Sequence, residues 1–156
     1  MKPARRVEVF LPDEAATLVL GAKLGASLKP GMYLALQGDL GSGKTTLTRG
    51  MLRALGYDGR VKSPTYTLVE LYNLSRLDFY HFDFYRFADP HELIDSGLRE
   101  AFNGAAVCVV EWPERAAGFL PSPDLSLTLS VRGQGREAAL VAESEAGEQC
   151  LQQLTT

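Results

Sequence analysis

One run, Gly38-Asp39-Leu40-Gly41-Ser42-Gly43-Lys44-Thr45-Thr46, restricts what this chain can become more than any other. Its first eight residues follow the pattern G-x-x-x-x-G-K-[ST] of a phosphate-binding loop. Gly38, Gly41 and Gly43 permit backbone angles and close approaches that a Cβ would forbid. The N–H groups of Gly41, Ser42, Gly43, Lys44, Thr45 and Thr46 can then converge on one concavity and hold phosphate oxygens. Lys44 brings an ammonium to the β- and γ-phosphates, and the Thr45 hydroxyl is placed for Mg²⁺.

The flanks agree with the motif. Tyr33 to Leu36 reads as a buried strand, and Leu47, Met51, Leu52 and Leu55 recur at helical spacing behind the loop, with Gly56 in position to end that helix. Upstream, Val7 to Phe10 suits a short strand. Asp13 is placed to cap a helix whose apolar stripe is Leu20, Leu24 and Leu28. Glu14, in its first turn, is a dipole-favoured surface residue on local grounds.

The loop from Gly59 to Thr67 contains Pro64 and three hydroxyls, Ser63, Thr65 and Thr67. These either satisfy their own backbone or form a switch segment that reaches metal or γ-phosphate. The two readings stand level. Leu68 to Leu71 resumes a strand, Tyr72 to Ser75 turns it, and Leu77 to Phe87 alternates as a longer one. There Phe79, His81, Asp83 and Tyr85 share one face and Tyr80, Phe82 and Phe84 the other. Asp83 is either an exposed strand carboxylate or faces a metal site, with His81 as a bystander or a ligand. Asp89-Pro90-His91-Glu92 carries the marks of a helix start, and its apolar side runs through Leu93, Ile94, Leu98 and Phe102, with a bend at Gly97.

Ala105 to Val110 is a strand buried on both faces, as in a parallel sheet. Glu111 follows at its carboxyl end, where ligands bind in open α/β sheets and where an acid can share the Mg²⁺ of a phosphate loop. The alternative for Glu111 is a surface residue after a core strand. Trp112 is a cover or a wall of the site. Asp124 to Val131 and Arg136 to Ala142 form an antiparallel hairpin about Gly133-Gln134-Gly135, and Ser144 to Leu154 a terminal helix. Arg136 reads locally as a surface arginine.

The expected architecture is therefore an α/β fold with a P-loop-type sheet, its parallel core strands flanked by helices, in one domain over residues 1–156. A net charge of −3 argues against a chain that wraps nucleic acid unaided. A basic run, Arg49, Arg53, Arg60 and Lys62, is either a solvated face or the seat of an anionic partner. Cys108 and Cys150 have no metal-ligand spacing and suit a reducing cytoplasm. The basic N-terminus lacks the apolar segment of a secretory signal, and no run is long enough to span a bilayer.

The phosphate loop, Ser63-Pro64-Thr65-Tyr66-Thr67-Leu68-Val69-Glu70, His81-Phe82-Asp83-Phe84-Tyr85-Arg86 and Val110-Glu111-Trp112-Pro113 together closely resemble the TsaE (YjeE) family, over about Val7 to Ala142. That family often has alanine at the position of Ser42. The resemblance implies a small cytoplasmic bacterial ATPase, using ATP and Mg²⁺. Its partners would be TsaB and TsaD, in making threonylcarbamoyladenosine beside the tRNA anticodon, with tRNA reached through the complex. Its part would be to gate or reset that complex. By the same resemblance Lys44 binds phosphates, Thr45 and Glu111 hold Mg²⁺, Asp83 supports metal or attacking water, and Thr65 lies in the switch loop. Glu14 and Arg136 become nucleotide contacts.

Three other functions share the loop. A small-molecule kinase would need an acceptor pocket and usually a basic lid, whereas the segment after Glu111 is proline-rich and then β-hairpin. A GTPase would need Asn-Lys-x-Asp, and neither Asn73 nor Asn103 is followed by Lys. A non-hydrolysing scaffold would need nucleotide only to fold.

Overall fold

The structure is a computed structural model that describes residues 5–154; the basic N-terminal stretch Met1 to Ala4 lies outside them. Within them the chain forms β1 (Arg6–Leu11), α1 (Glu14–Ser27), β2 (Tyr33–Gln37), α2 (Lys44–Ala54), β3 (Val69–Asn73) and β4 (Asp78–Asp83). There follow α3 (Glu92–Asp95), β5 (Val107–Glu111), β6 (Leu125–Arg132), β7 (Gly135–Ala142) and α4 (Glu145–Leu154). The strands make one seven-stranded sheet in the order β1-β7-β6-β2-β5-β4-β3. Its centre is parallel: β2 pairs with both β5 and β6, and β5 with β4. The margins are antiparallel, through β3 on β4, β7 on β6 and β1 on β7. No helix among the described residues is long and apolar enough to cross a membrane.

Side-chain alternation divides the core. Leu34 and Leu36 of β2, Val107 and Val109 of β5 and Phe79 of β4 join Leu20, Leu24, Leu47 and Met51 of α1 and α2 on one face. Tyr33, Ala35, Cys108, Val110 and Phe82 pack on the other with Phe84, Phe87 and Leu93. The two-sided burial expected of the strand before Glu111 follows from this arrangement.

Local signals explain the boundaries. The Asp13 carboxylate accepts the Ala16 N–H at 2.8 Å and caps α1. α2 ends where Gly56 N–H donates to Arg53 O and Tyr57 N–H to Leu52 O, the paired bonds of a Schellman motif. α1 and α2 approach closely because small residues face each other. A Cβ on Gly50 would stand 2.5 Å from Leu18 O, and one on Gly25 2.5 Å from Met51 O.

Most boundaries fall within one or two residues of expectation, and three differences have a clear physical cause or consequence. The strand anticipated over Leu77 to Phe87 stops at Asp83, because the Asp83 carboxylate accepts the Tyr85 N–H at 2.9 Å and turns the chain off the sheet. Tyr85 therefore leaves the face of Phe79, His81 and Asp83. The helix expected from Asp89 to Phe102 is broken into α3 and a 3-10 turn at Leu98–Ala101, since Gly97 adopts φ 75° and cannot continue a right-handed helix. The strand after the threonine loop runs to Asn73 rather than Leu71, and Leu74 to Leu77 makes the turn.

Candidate functional site

The site lies where β2, β4 and β5 end on the same side of the sheet. β2 delivers the phosphate loop, and α2 begins at Lys44 directly behind it, so free N–H groups and the positive end of the helix face one point. Gly43 has φ 104° with only Thr17 Cγ2 and Leu129 Cδ1 near a hypothetical Cβ, so its backbone angle alone demands glycine. At Gly38 close approach decides, because a Cβ would stand 2.6 Å from Leu129 O. Ser42 is buried and its Oγ has no hydrogen-bond partner among the described residues, so alanine there would break nothing.

Lys44 is the electrostatic centre. Its Nζ donates to Gly38 O at 2.5 Å, stands 3.8 Å from Glu111 Oε1, and lies 4.2 Å from the centre of the Trp112 ring. Burial lowers its pKa from the ordinary lysine value, while Glu111 and then Asp83 pull it back up. An ammonium held this way, short of full solvation, is primed for a stronger anionic partner. Trp112 adopts φ 57°, a left-handed angle costly for a bulky residue, and its ring forms a wall over the lysine.

The acids arrive by sheet register. β5 is the neighbour of β2 and β4 the next strand, with Leu36 opposite Glu111 and Glu111 opposite Asp83. Both carboxylates are almost fully buried, at 3% and 2% exposure. Each is held by donors rather than left as a bare charge. Glu111 Oε2 is 2.6 Å from His81 Nε2. Asp83 Oδ2 accepts from Thr65 Oγ1 at 2.9 Å and Ser63 Oγ at 3.2 Å. The loop hydroxyls thus reach an acid across the chain instead of closing a local turn. Thr67 is apart from them and donates to Glu70.

Gly41, Gly43, Lys44, Thr45, Thr46, Ser63, Thr65, Asp83 and Glu111 line one open cleft of about 370 Å³. Glu14 and Arg136 are placed elsewhere, in a smaller cavity on the other flank of the phosphate loop, with Asp13, Thr17 and Gln134. Arg136 donates through Nε to Ser42 O at 3.2 Å and through Nη2 to Gly41 O at 3.1 Å. It ties the outer backbone of the loop to β7, a contact that sequence spacing did not suggest. Glu14 is exposed and 3.7 Å from Arg49 of the basic run. His81, treated in sequence as a neighbour of Asp83 or a ligand, is completely buried against Glu111. Its position two residues before Asp83, on the same strand face, was the available signal.

The residues suit a magnesium–nucleotide complex. Among the described residues no three His, Cys, Asp or Glu side chains gather into a cation cage. Mg²⁺ commonly uses one or two carboxylates plus substrate phosphates and water. Thr45 and Glu111 beside a phosphate cradle are that kind of partial set.

Comparison with known proteins agrees with this geometry. The sequence model of the family described as "Threonylcarbamoyl adenosine biosynthesis protein TsaE" matches residues 11–138. The chain belongs to the TsaE family. A TsaE relative, the "tRNA threonylcarbamoyladenosine biosynthesis protein TsaE" of Haemophilus influenzae, is 44% identical over 144 residues, covering 89% of this chain and 91% of that protein. The TsaE protein of the same description from Bacillus subtilis is 40% identical, covering 92% and 89%. The crystal structure of Bacillus subtilis YdiB superposes with a TM-score of 0.85 at 30% identity, covering 99% of this chain and 97% of that one. TsaE membership carries with it a P-loop nucleotide-binding protein.

Proposed function

We propose that this chain, acting as a single domain, is the Mg²⁺-dependent ATPase component of tRNA threonylcarbamoyladenosine biosynthesis. It works in the cytoplasm on a TsaB–TsaD complex, which it gates or resets, and meets tRNA through that complex. The observation that carries the reading is Glu111 at the tip of β5, 3.8 Å from the Lys44 ammonium and in the same cleft as Thr45. Family membership and the pathway named for the relatives give it its setting.

In this reading the N–H groups of Gly41 to Thr46 bind the phosphates of ATP, and Lys44 leaves Glu111 and Gly38 O to bind the γ-phosphate. Thr45 and Glu111 would hold Mg²⁺, which supplies positive charge where the leaving phosphate oxygens gather negative charge. Asp83 orients the attacking water, and its present partners, Thr65 and Ser63, release it as the loop turns toward the triphosphate. Arg136 keeps the outer backbone of the loop in shape, with Glu14 on the same flank. A partner that completes the site would raise a slow intrinsic rate.

The test is phosphate release from ATP with Mg²⁺ and no acceptor, with and without TsaB and TsaD. Release that rises with the partners supports the proposal. ADP formed only when a small acceptor is added would replace it with a kinase.

A further inference from the structure

Glu111 carries two carboxylate oxygens with different surroundings. Oε2 is 2.6 Å from His81 Nε2, and Oε1 is 3.8 Å from Lys44 Nζ, a distance too long for a direct charge-assisted hydrogen bond. The acid is near the lysine without gripping it. In a cleft this buried, a free carboxylate would close on the ammonium, because their attraction strengthens as water is excluded. Lys44 is anchored on Gly38 O and the Trp112 ring, and among the described residues the side chain bonded to Glu111 at short range is His81.

His81 is built for restraint. It stands on β4 next to β5, opposite Val109, so backbone register fixes its distance from the Glu111 strand tip. It is wholly buried, with Phe79 before it and Asp83 after it on the same face. Its Nδ1 has no hydrogen-bond partner among the described residues, so the ring's polar contact is with Glu111. With its proton on Nε2, the ring donates to the carboxylate and turns a bare lone pair toward apolar surroundings, which costs less than burying a second unpaired N–H.

We propose that His81 is a positioning residue that holds Glu111 off Lys44, keeping one carboxylate oxygen turned into the cleft and the ammonium available to phosphate. This deepens the ATPase reading and rests on it for its kinetic consequence, though its geometric consequence stands alone. Without the His81 bond, Glu111 rotates and pairs directly with Lys44. The backbone cradle stays intact, but the ammonium is drawn from the phosphates and Glu111 from the cleft, so nucleotide capture and turnover both suffer.

Three variants of the full chain test this. Leu removes the donor and keeps apolar bulk, Gln places an N–H where Nε2 stands, and Asn is too short to reach. His81→Leu is expected to lower kcat for ATP by about 10- to 100-fold, as loss of an orienting partner does. KM should rise as the ammonium is withheld from phosphate, His81→Gln should recover most of both losses, and His81→Asn should not. In the nucleotide-free crystal structure of His81→Leu, the Glu111–Lys44 separation should shorten to about 2.8 Å. A separation unchanged in the folded variant, a wild-type kcat in His81→Leu, or equal damage from Gln and Asn would overturn the inference. If His81→Leu does not fold, the Gln and Asn pair decides, by the same separation. If the wild type shows no hydrolysis even with TsaB and TsaD, the ATPase reading falls, and the Glu111–Lys44 separation still decides the role of His81.

Discussion

Asp83 and Glu111 face each other across adjacent parallel strands, in register, and each carboxylate is claimed by a different set of donors. Asp83 bonds to the threonine loop and Glu111 to His81, with the Lys44 ammonium 3.8 Å from the other Glu111 oxygen. Buried carboxylates need hydrogen-bond donors to offset lost hydration, and each of these has its own. The division is also topological: the donors to Asp83 come from the loop before β3, and the donor to Glu111 comes from the neighbouring strand β4.

For Glu111, the neutral isostere isolates charge from shape. Glu111→Gln keeps the volume and a hydrogen-bond acceptor, so the melting temperature should move little. Phosphate release should fall by about 100-fold, the scale of losing one electrostatic group at a reacting centre. Steady-state phosphate release with a thermal melt checks both, and wild-type turnover removes Glu111 from the mechanism.

Lys44→Ala should weaken ATP binding by about 100-fold or more, because the main-chain cradle loses the charge-assisted bonds of the lysine ammonium. Isothermal titration calorimetry reads this directly. Unchanged affinity would place the triphosphate elsewhere.

Thr65→Val removes the 2.9 Å bond to Asp83 without changing side-chain volume. The loop around residues 63–67 should open more readily, by about 1 kcal/mol for one lost hydrogen bond. Amide exchange in that segment would rise in the nucleotide-free protein, while α1 and α2 stay protected.

Gly50→Ala tests the helix pair behind the site. The added Cβ meets the Leu18 carbonyl at 2.5 Å, and a backbone atom cannot step aside as a flexible side chain would. Overpacking of this kind costs about 1–3 kcal/mol, readable as a lower midpoint in denaturant. An unchanged midpoint would mean that α1 moves freely over α2.

Burial raises the pKa of the Cys108 thiol to about 12. In the unfolded chain the thiol ionises near pH 8.5. Below that pH both states hold the proton and the group leaves stability unchanged. Between that pH and about 12 only the unfolded chain releases it, so stability declines as pH rises through this window. Cys108→Ala should soften the alkaline loss in a melting series from pH 8 to about 11, and native Cys108 should resist alkylation at neutral pH.

The chain itself dictated everything that short-range chemistry controls. The phosphate loop, the Asp13 cap, the Gly56 helix end, the two-sided strand before Glu111 and the hairpin of β6 and β7 are each written in contiguous residues, because dihedral preference and periodicity act within a few positions. The early stop of the strand at Asp83 was harder to see, since the side chain that bends the backbone is also a plausible strand residue. Which strands lie side by side is set by burial summed over the whole sheet, and no local pattern contains that sum. Only the tertiary structure could bring His81 to Glu111, hang Thr65 on Asp83, and fasten Arg136 to the carbonyls of Gly41 and Ser42. Those contacts join residues 18 to 95 positions apart. They form because packing the helices against the two faces of the sheet brings these distant polar groups within hydrogen-bond reach of one another.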